Sequence, residues 1–166
     1  HMNWSGFINN EKLLVDKNLF DFLTLQKIKW GFVSGAELPS AKFILEQRLS
    51  LNNPPLVAMN DAPDKPNPEG LLTLANKLLL EDFGPKCPPV VYVGDTIADI
   101  QTIINAREFY PNQRFISIGV APPHLKTTEN IQTKSIYESK LKAAGADFII
   151  SSVIDLKKIH KELFKA

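Results

Sequence analysis

The feature that most constrains the fold is an alternation of short apolar runs with stretches of helical periodicity between residues 29 and 150. Five runs are rich in β-branched or aromatic residues and end in small or polar residues, which is typical of strands. They are residues 29–34, 56–59, 90–93, 114–119 and 147–150. Because strands that alternate with helices form βαβ units, the sequence predicts an α/β fold, a three-layer doubly wound domain around a mostly parallel sheet.

The segments between these runs predict the helices. Apolar residues recur at helical spacing in five stretches, which are residues 39–49, 69–80, 96–108, 134–144 and 153–164. The first 28 residues differ, because His1 and Met2 resemble the remnant of a cleaved tag and residues 17–28 carry a helical pattern without a preceding strand. We therefore predict a lead-in segment with one helix over residues 1–28 and an α/β core domain over residues 29–166.

Composition excludes several classes of protein. The 166 residues are 44% apolar and 22% charged, as in a globular domain, and 19 Lys and Arg nearly balance 18 Asp and Glu. That balance, without a basic run, predicts no nucleic-acid partner. No apolar stretch reaches the roughly 18 residues of a membrane span, and no signal peptide is evident, so we expect a cytoplasmic location. The single cysteine, Cys87, is predicted to be a buried or idle thiol.

Polar groups follow three of the predicted strands, at the edge where parallel sheets bind ligands. Ser34 and Gly35 follow the first strand, and a hydroxyl with adjacent backbone N–H groups can hold a phosphate oxygen. Lys65 lies in a proline-rich loop after the second strand and can neutralise a phosphate. Asp95 and Asp99 follow the third and can share a divalent cation. Each of these groups also has a purely structural interpretation. Ser34 and Gly35 would form a turn, Lys65 would be a solvated lysine, and Asp95 would cap the following helix.

The order of these segments carries more information than any one of them. WGFVSG at 30–35, KPNPEGL at 65–71 and VYVGDTIAD at 91–99 resemble the second, third and fourth motifs of the haloacid dehalogenase-like superfamily, and AGADFII at 144–150 resembles its closing strand. The resemblance covers roughly residues 13–163. The third segment is similar to the form found in subfamily IA, with phosphoglycolate phosphatase-like members, and a predicted cyanobacterial hydrolase group looks closest.

The resemblance implies a magnesium-dependent phosphatase that acts on a small phosphorylated molecule through an aspartyl-phosphate. It implies that Ser34 holds the phosphoryl oxygens and that Lys65 stabilises both the nucleophile and the phosphate. Asp95 and Asp99 would serve Mg²⁺, Asp95 more directly. Specificity in the family usually comes from a cap inserted between the first two motifs, a region that this chain does not contain.

The family's first motif, a strand ending in DxDGT, is absent, since no aspartate is followed two residues later by another. Asp16 follows the apolar residues 13–15, but it lacks the glycine and is a poor candidate nucleophile. Loss of this strand would leave a central gap of roughly 9 to 10 Å, two strand spacings. Three explanations of the missing strand are open. The chain is shortened and lacks an upstream segment, another chain or a second copy supplies the strand, or the remaining strands pair differently across the gap.

We therefore expect a truncated or divergent hydrolase core that is inactive by itself and binds Mg²⁺ weakly or not at all. The alternative is a non-catalytic domain that binds a phosphorylated ligand or a protein that completes its sheet. Among the remaining residues, His124 is predicted to be a loop histidine near the strand ends that could touch substrate. His160 is predicted to lie on a solvated helix face, and Tyr92 to be a core residue of the third strand.

Overall fold

The structure is a computed structural model that describes residues 17–122 and 131–165. The strands are β1 (Phe32–Val33), β2 (Leu56–Val57), β3 (Val90–Gly94), β4 (Phe115–Val120) and β5 (Phe148–Ile150). The helices are α1 (Lys17–Leu25), α2 (Leu38–Lys42), α3 (Glu69–Leu79), α4 (Ile97–Phe109), α5 (Ile131–Ala143) and α6 (Leu156–Leu163). A π-helical stretch, Phe43–Arg48, continues α2, and a 3₁₀ turn, Val153–Asp155, precedes α6.

All strand pairs in the described ranges are parallel, but they form two sheets. In the first, β1 pairs with β2, with Phe32 opposite Leu56. In the second, the order is β3-β4-β5, with Val90 opposite Phe115 and Ile118 opposite Phe148. The α/β class and the parallel strands are confirmed, and within the described ranges no strand of the first sheet pairs with a strand of the second.

Helices cover both faces of the strands, which makes three layers. Residues of β3 alternate between the faces, as the period of two requires. Val91 and Val93 pack toward α6 with Ile118, whereas Val90 and Tyr92 pack toward α3 and α4. On the same face as α4, α5 contributes Leu141 and Tyr137, which pack with Ile100 and Ile149.

The strands of the first sheet are shorter than predicted. Residues 29–34 were expected to form the first strand, yet only Phe32–Val33 pair, because β2 supplies a partner over just two residues. After Val57 the chain turns at Asn60, whose φ of 72° lies in the left-handed region. The second strand therefore ends before residue 59.

The lead-in helix α1 ends at Leu25 rather than at the predicted residue 28, and Lys27 has a left-handed φ of 62°. Its apolar stripe, Leu19, Phe20 and Leu23, packs with Leu45, Leu49 and Leu51 in one buried cluster. Phe20 also lies against Trp30, with ring centroids 4.9 Å apart. The helix thus contributes to the same core that supports β1.

Cys87 is buried and free, as predicted. Its thiol donates to the backbone oxygen of Asp82 and contacts Glu81, and burial, followed by the Glu81 carboxylate, raises the pKa of the thiol. No helix in the described ranges is long and apolar enough to cross a membrane.

Candidate functional site

The carboxylate of Asp99 is the most heavily bonded group at the strand ends. Asp99 is 3% exposed as a residue, and its carboxylate accepts hydrogen bonds from five donors. Oδ1 accepts from Lys65 Nζ at 2.6 Å and from the Tyr92 hydroxyl at 3.1 Å. Oδ2 accepts from the backbone N–H groups of Asp95 and Thr96, both at 3.1 Å, and from Thr96 Oγ1 at 2.9 Å. These bonds join β3, the start of α4 and the Lys65 loop at one point.

A glycine at the end of β3 makes room for this carboxylate. A Cβ atom at Gly94 would lie 2.2 Å from Asp99 Cβ and 2.4 Å from Asp99 Cγ. Both of those atoms are close to the helix backbone, so they cannot swing away as the tip of a long side chain could. The Gly-Asp-x-x-x-Asp spacing therefore has a steric reason in this structure: Gly94 lets Asp99 reach back over the turn.

The helix cap is Thr96, so the interpretation of Asp95 as the cap is wrong. Thr96 Oγ1 accepts from the Asp99 N–H at 3.2 Å, and Asp99 returns the contact to the Thr96 N–H, which forms a capping box. Asp99 is thus both the third residue of α4 and the partner of Lys65.

Lys65 is held by its loop as well as by Asp99. Asn105 of α4 donates from Nδ2 to the Pro66 carbonyl at 2.9 Å, and Asn67 accepts the Glu69 N–H at 2.9 Å. The lysine side chain is 27% exposed, against 4% for that of Asp99. Its ammonium is consequently partly buried and fixed beside Asp99 at the strand ends.

Ser34 directly follows β1, where its Oγ accepts the Ala36 N–H at 3.1 Å and its own N–H donates to the Val57 carbonyl at 2.8 Å. Ser34, Gly35 and Lys65 line the same small cavity of about 30 Å³, together with Asp64 and Thr102. That volume suits one or two water molecules. A Cβ at Gly35 would meet no atom within 4 Å, so the space beside its backbone is open.

Two tyrosine hydroxyls donate to the aspartates at the strand ends, and the sequence predicts neither contact. Tyr92 lies in the core as predicted, yet its hydroxyl donates to Asp99. Tyr137 of α5 donates its hydroxyl to the backbone oxygen of Asp95. Burial raises the pKa of both hydroxyls, and the charges of Asp99 and Asp95 raise them further, so both remain protonated donors at neutral pH.

These residues do not form a magnesium site by themselves. Mg²⁺ takes oxygen ligands in near-octahedral geometry, usually from one or two carboxylates together with waters and phosphate. A cation on Asp99 would compete with five existing hydrogen bonds, including that from Lys65. Within the described ranges, no group of three or more His, Cys, Asp or Glu side chains could hold a metal ion. Besides Asp99, the other carboxylate residue at this edge is Asp95.

The predicted site residues come together in one connected set. Ser34, Gly35 and Lys65 share a cavity, Lys65 bonds to Asp99, and Asp99 bonds to the backbone of Asp95. Asp16 and His124 lie outside the described residues. The interpretation of His160 as a solvated residue is wrong, because its ring packs edge-on against Phe22 and its Nε2 is buried. Because Phe22 and His160 are far apart in the sequence, no local pattern predicts that their rings make contact.

The parallel α/β fold gathers a serine, a lysine and two aspartates at one strand edge. The sequence profile of the haloacid dehalogenase-like hydrolases matches residues 15–107, more than half of the chain. The chain belongs to the haloacid dehalogenase-like hydrolase family. No curated protein sequence matches it.

Solved structures share the fold at low sequence identity. A phosphonoacetaldehyde hydrolase-like protein from Oleispira antarctica superposes with a TM-score of 0.66 and 23% identity, over 90% of this chain and 55% of that one. A haloacid dehalogenase-like hydrolase from Bacteroides fragilis gives 0.55 and 24%, over 84% and 56%. A β-phosphoglucomutase homologue from Thermotoga maritima gives 0.57 and 19%, over 89% and 58%. This chain therefore spans little more than half the length of these proteins.

Replacing Gly94 tests the close approach of Asp99. We expect Gly94→Ala to push the carboxylate away from Lys65 and Tyr92 and to lower the free energy of unfolding by about 2 to 4 kcal/mol, since it overpacks a buried turn and leaves donors unpaired. The matched control is Gly84→Ala, where a Cβ would meet nothing within 4 Å. Urea unfolding measures both, and equal stability of the two variants would contradict the steric argument.

Replacing Tyr92 tests its bond to Asp99. At neutral pH, Tyr92→Phe should lower the free energy of unfolding by about 1 to 2 kcal/mol. The pKa of Tyr92 is raised by folding, whereas in the unfolded chain it is about 10. The hydroxyl's contribution to the free energy of unfolding is therefore complete below about pH 10. Above that pH it declines, because the tyrosine ionises first in the unfolded chain. As the pH rises above about 10, the urea midpoints of parent and variant should converge, and a difference that stays constant would contradict the hydrogen bond to Asp99.

Proposed function

We propose that this chain is the phosphate-holding core of a phosphomonoester hydrolase of the haloacid dehalogenase-like family, acting on a small phosphorylated molecule. The observation that carries the proposal is that Ser34, Gly35 and Lys65 line one cavity while Lys65 is bonded to Asp99. A phosphoryl group at this edge would meet a cation, a hydroxyl and an open backbone. Proteins generally present these groups to phosphate oxygens.

Each residue has a separate role in holding the phosphate. Lys65 offsets the charge of the phosphoryl oxygens, and Asp99 keeps its ammonium in place. Ser34 offers its hydroxyl proton, because the bond from Ala36 uses the oxygen only as an acceptor. The open space at Gly35 lets a phosphate oxygen approach the main chain.

We expect this chain to bind Mg²⁺ weakly. Hydrolases of this family generally use Mg²⁺, but the Asp99 carboxylate is occupied by its donors, and Asp95 alone is a poor Mg²⁺ site. We therefore expect the metal to need a further carboxylate and the phosphate oxygens, which would serve as ligands together with Asp95.

The proposed hydrolase core lacks a nucleophile within its own sequence. None of its aspartates has a second aspartate two residues further on. We infer that the residues of this chain bind and orient a phosphoryl group but do not break its ester bond, because no carboxylate pair is available for attack and proton transfer. A cytoplasmic location, in keeping with a single free cysteine, forms part of the same proposal.

A second candidate is a domain that binds a phosphorylated ligand as its function. The intact Ser34 and Lys65 beside a missing Asp-x-Asp motif favour it. The two candidates differ only in whether a nucleophile-bearing strand reaches this edge in the working protein, and they make the same prediction for the chain alone.

Phosphate binding and turnover test both candidates. Inorganic phosphate, followed by ³¹P NMR or calorimetry, should bind about tenfold or more weakly to Lys65→Met and several-fold more weakly to Ser34→Ala, since charged hydrogen bonds are worth roughly 1.5 to 3 kcal/mol. The control is Lys86→Met, an exposed lysine shortly before β3, away from the strand ends.

In the same preparations, p-nitrophenyl phosphate with Mg²⁺ should be hydrolysed no faster by the parent than by Asp95→Ala. Turnover that exceeds this control would show that the chain carries its own nucleophile. Failure of phosphate to bind, or equal weakening by all three variants, would refute the proposed phosphate site.

A further inference from the structure

One large apolar side chain, that of Met59, is exposed beside the groups that the proposed function assigns to phosphate. Met59 is 40% exposed and lines the same small cavity as Ser34, Gly35 and Lys65. Single exposed apolar residues are common on protein surfaces and need no explanation by themselves. Met59 differs from them because it shares a cavity with a lysine and a serine that are placed to bind an anion.

Backbone hydrogen bonds tie Met59 to the turn that carries Ser34. The Met59 N–H donates to the Ala36 carbonyl at 2.9 Å, and the Ala36 N–H donates to Ser34 Oγ at 3.1 Å. The next residue, Asn60, has a left-handed φ of 72°, and the Asp61 carboxylate accepts a backbone N–H of the same turn at 2.9 Å. Because these contacts fix the turn, the backbone of Met59 is held beside Ser34.

Two further apolar residues of the same loop line the cavity between Met59 and Lys65. They are Ala62, which is half-buried and forms a parallel bridge with Met59, and Pro63, which is exposed. Residues 59–63 therefore present apolar surface next to the Lys65 ammonium. The organic group of a phosphomonoester bound at Lys65 and Ser34 would have this surface as its neighbour.

The cavity lining also decides between an apolar and a hydroxylated organic group. Asp64 lines the cavity and is the residue that would accept a hydrogen bond from a substrate hydroxyl. It is exposed, so such a hydroxyl would only replace water, and that exchange contributes little net free energy. An apolar group that covers Met59 removes apolar surface from water, and the methionine sulfur makes favourable contacts with aromatic rings. The lining therefore favours an apolar group, and an aromatic one in particular.

We propose that Met59 is a specificity-determining residue, and that the site takes phosphomonoesters whose organic group is apolar, such as the ester of an aromatic alcohol. The inference rests on the proposed phosphate site and adds the substrate class to it. Lys65 and Ser34 would bind the phosphoryl group of any phosphomonoester, whereas Met59 would contact only the organic group. Replacing Met59 should therefore change the preference among esters and leave the affinity for inorganic phosphate unchanged.

Calorimetry with inorganic phosphate, phenyl phosphate and glycerol 1-phosphate tests the proposal. The two esters carry the same charge, but one has an aromatic ring and the other a short chain with two hydroxyls. The parent chain should bind phenyl phosphate about three- to tenfold more tightly than glycerol 1-phosphate, as expected when the exposed part of one methionine side chain is covered. Met59→Ser should abolish this preference, and Met59→Leu should keep it, because leucine restores the apolar surface.

The matched control is Leu80→Ser, which removes an exposed apolar side chain at the opposite end of α3 from the Lys65 loop. It should keep the preference of the parent chain. The methyl group of Met59 gives a direct measure of contact, because the sequence has two methionines and ¹³C-methyl labelling yields two signals. The signal that Met59→Leu removes should shift through the ring current of bound phenyl phosphate, and far less with the other two ligands.

Several results would overturn the proposal while the phosphate site stands. Inorganic phosphate binds, but the parent chain does not distinguish the two esters, or its preference for phenyl phosphate survives in Met59→Ser. A preference for glycerol 1-phosphate would assign recognition to a hydroxyl acceptor such as Asp64. Equal weakening of all three ligands by Met59→Ser would show that Met59 only supports the loop. If inorganic phosphate itself does not bind, the proposed function fails, and this inference fails with it.

Discussion

The buried carboxylate of Asp99 is the constraint on which the strand-end site depends. A buried charge is stable only when it is paired and hydrogen-bonded, and here five donors from three segments of the chain meet that need. In return the carboxylate fixes the turn after β3, the first turn of α4 and the position of Lys65. The absence of a side chain at Gly94 makes this arrangement possible.

The site is assembled even though the sheet is divided. In the part of the chain that the structure describes, side-chain packing and not strand hydrogen bonding links the two sheets. Val33 of β1 packs in the same cluster as Ile103 of α4, and Leu156 of α6 contacts the clusters of both sheets. The Lys65 loop adds a polar link, since it follows β2 and is bonded to Asp99 and Asn105 of α4. Ser34, Lys65 and Asp95 therefore lie at one edge, although no strand among the described residues joins the two sheets.

The parts that could be predicted from sequence are those that depend on local pattern and chain order. Alternating apolar runs predicted the five strands, and motif spacing predicted that Ser34, Lys65, Asp95 and Asp99 would gather at one edge. Strand lengths were less predictable, since a strand such as β1 extends only as far as its neighbour pairs with it. The extent of that pairing depends on tertiary contacts.

Side-chain bonding was the least predictable part. The spacing of Asp95 and Asp99 indicated a shared cation, which stays a prediction, whereas the structure shows Asp99 engaged by hydrogen-bond donors. The Tyr92 hydroxyl and the Tyr137 contact come from residues that look like ordinary core or helix positions. Only the three-dimensional meeting of distant segments gives them these partners.

The most direct test of the account is a double-mutant cycle on the Lys65–Asp99 pair, measured by urea unfolding of the parent chain, Lys65→Met, Asp99→Asn and the double variant. If Asp99 is the partner that holds Lys65, the two single losses of stability should overlap, with a coupling free energy of about 1 to 3 kcal/mol. Additive losses, with a coupling below about 0.5 kcal/mol, would show that the two side chains act independently and would contradict the account.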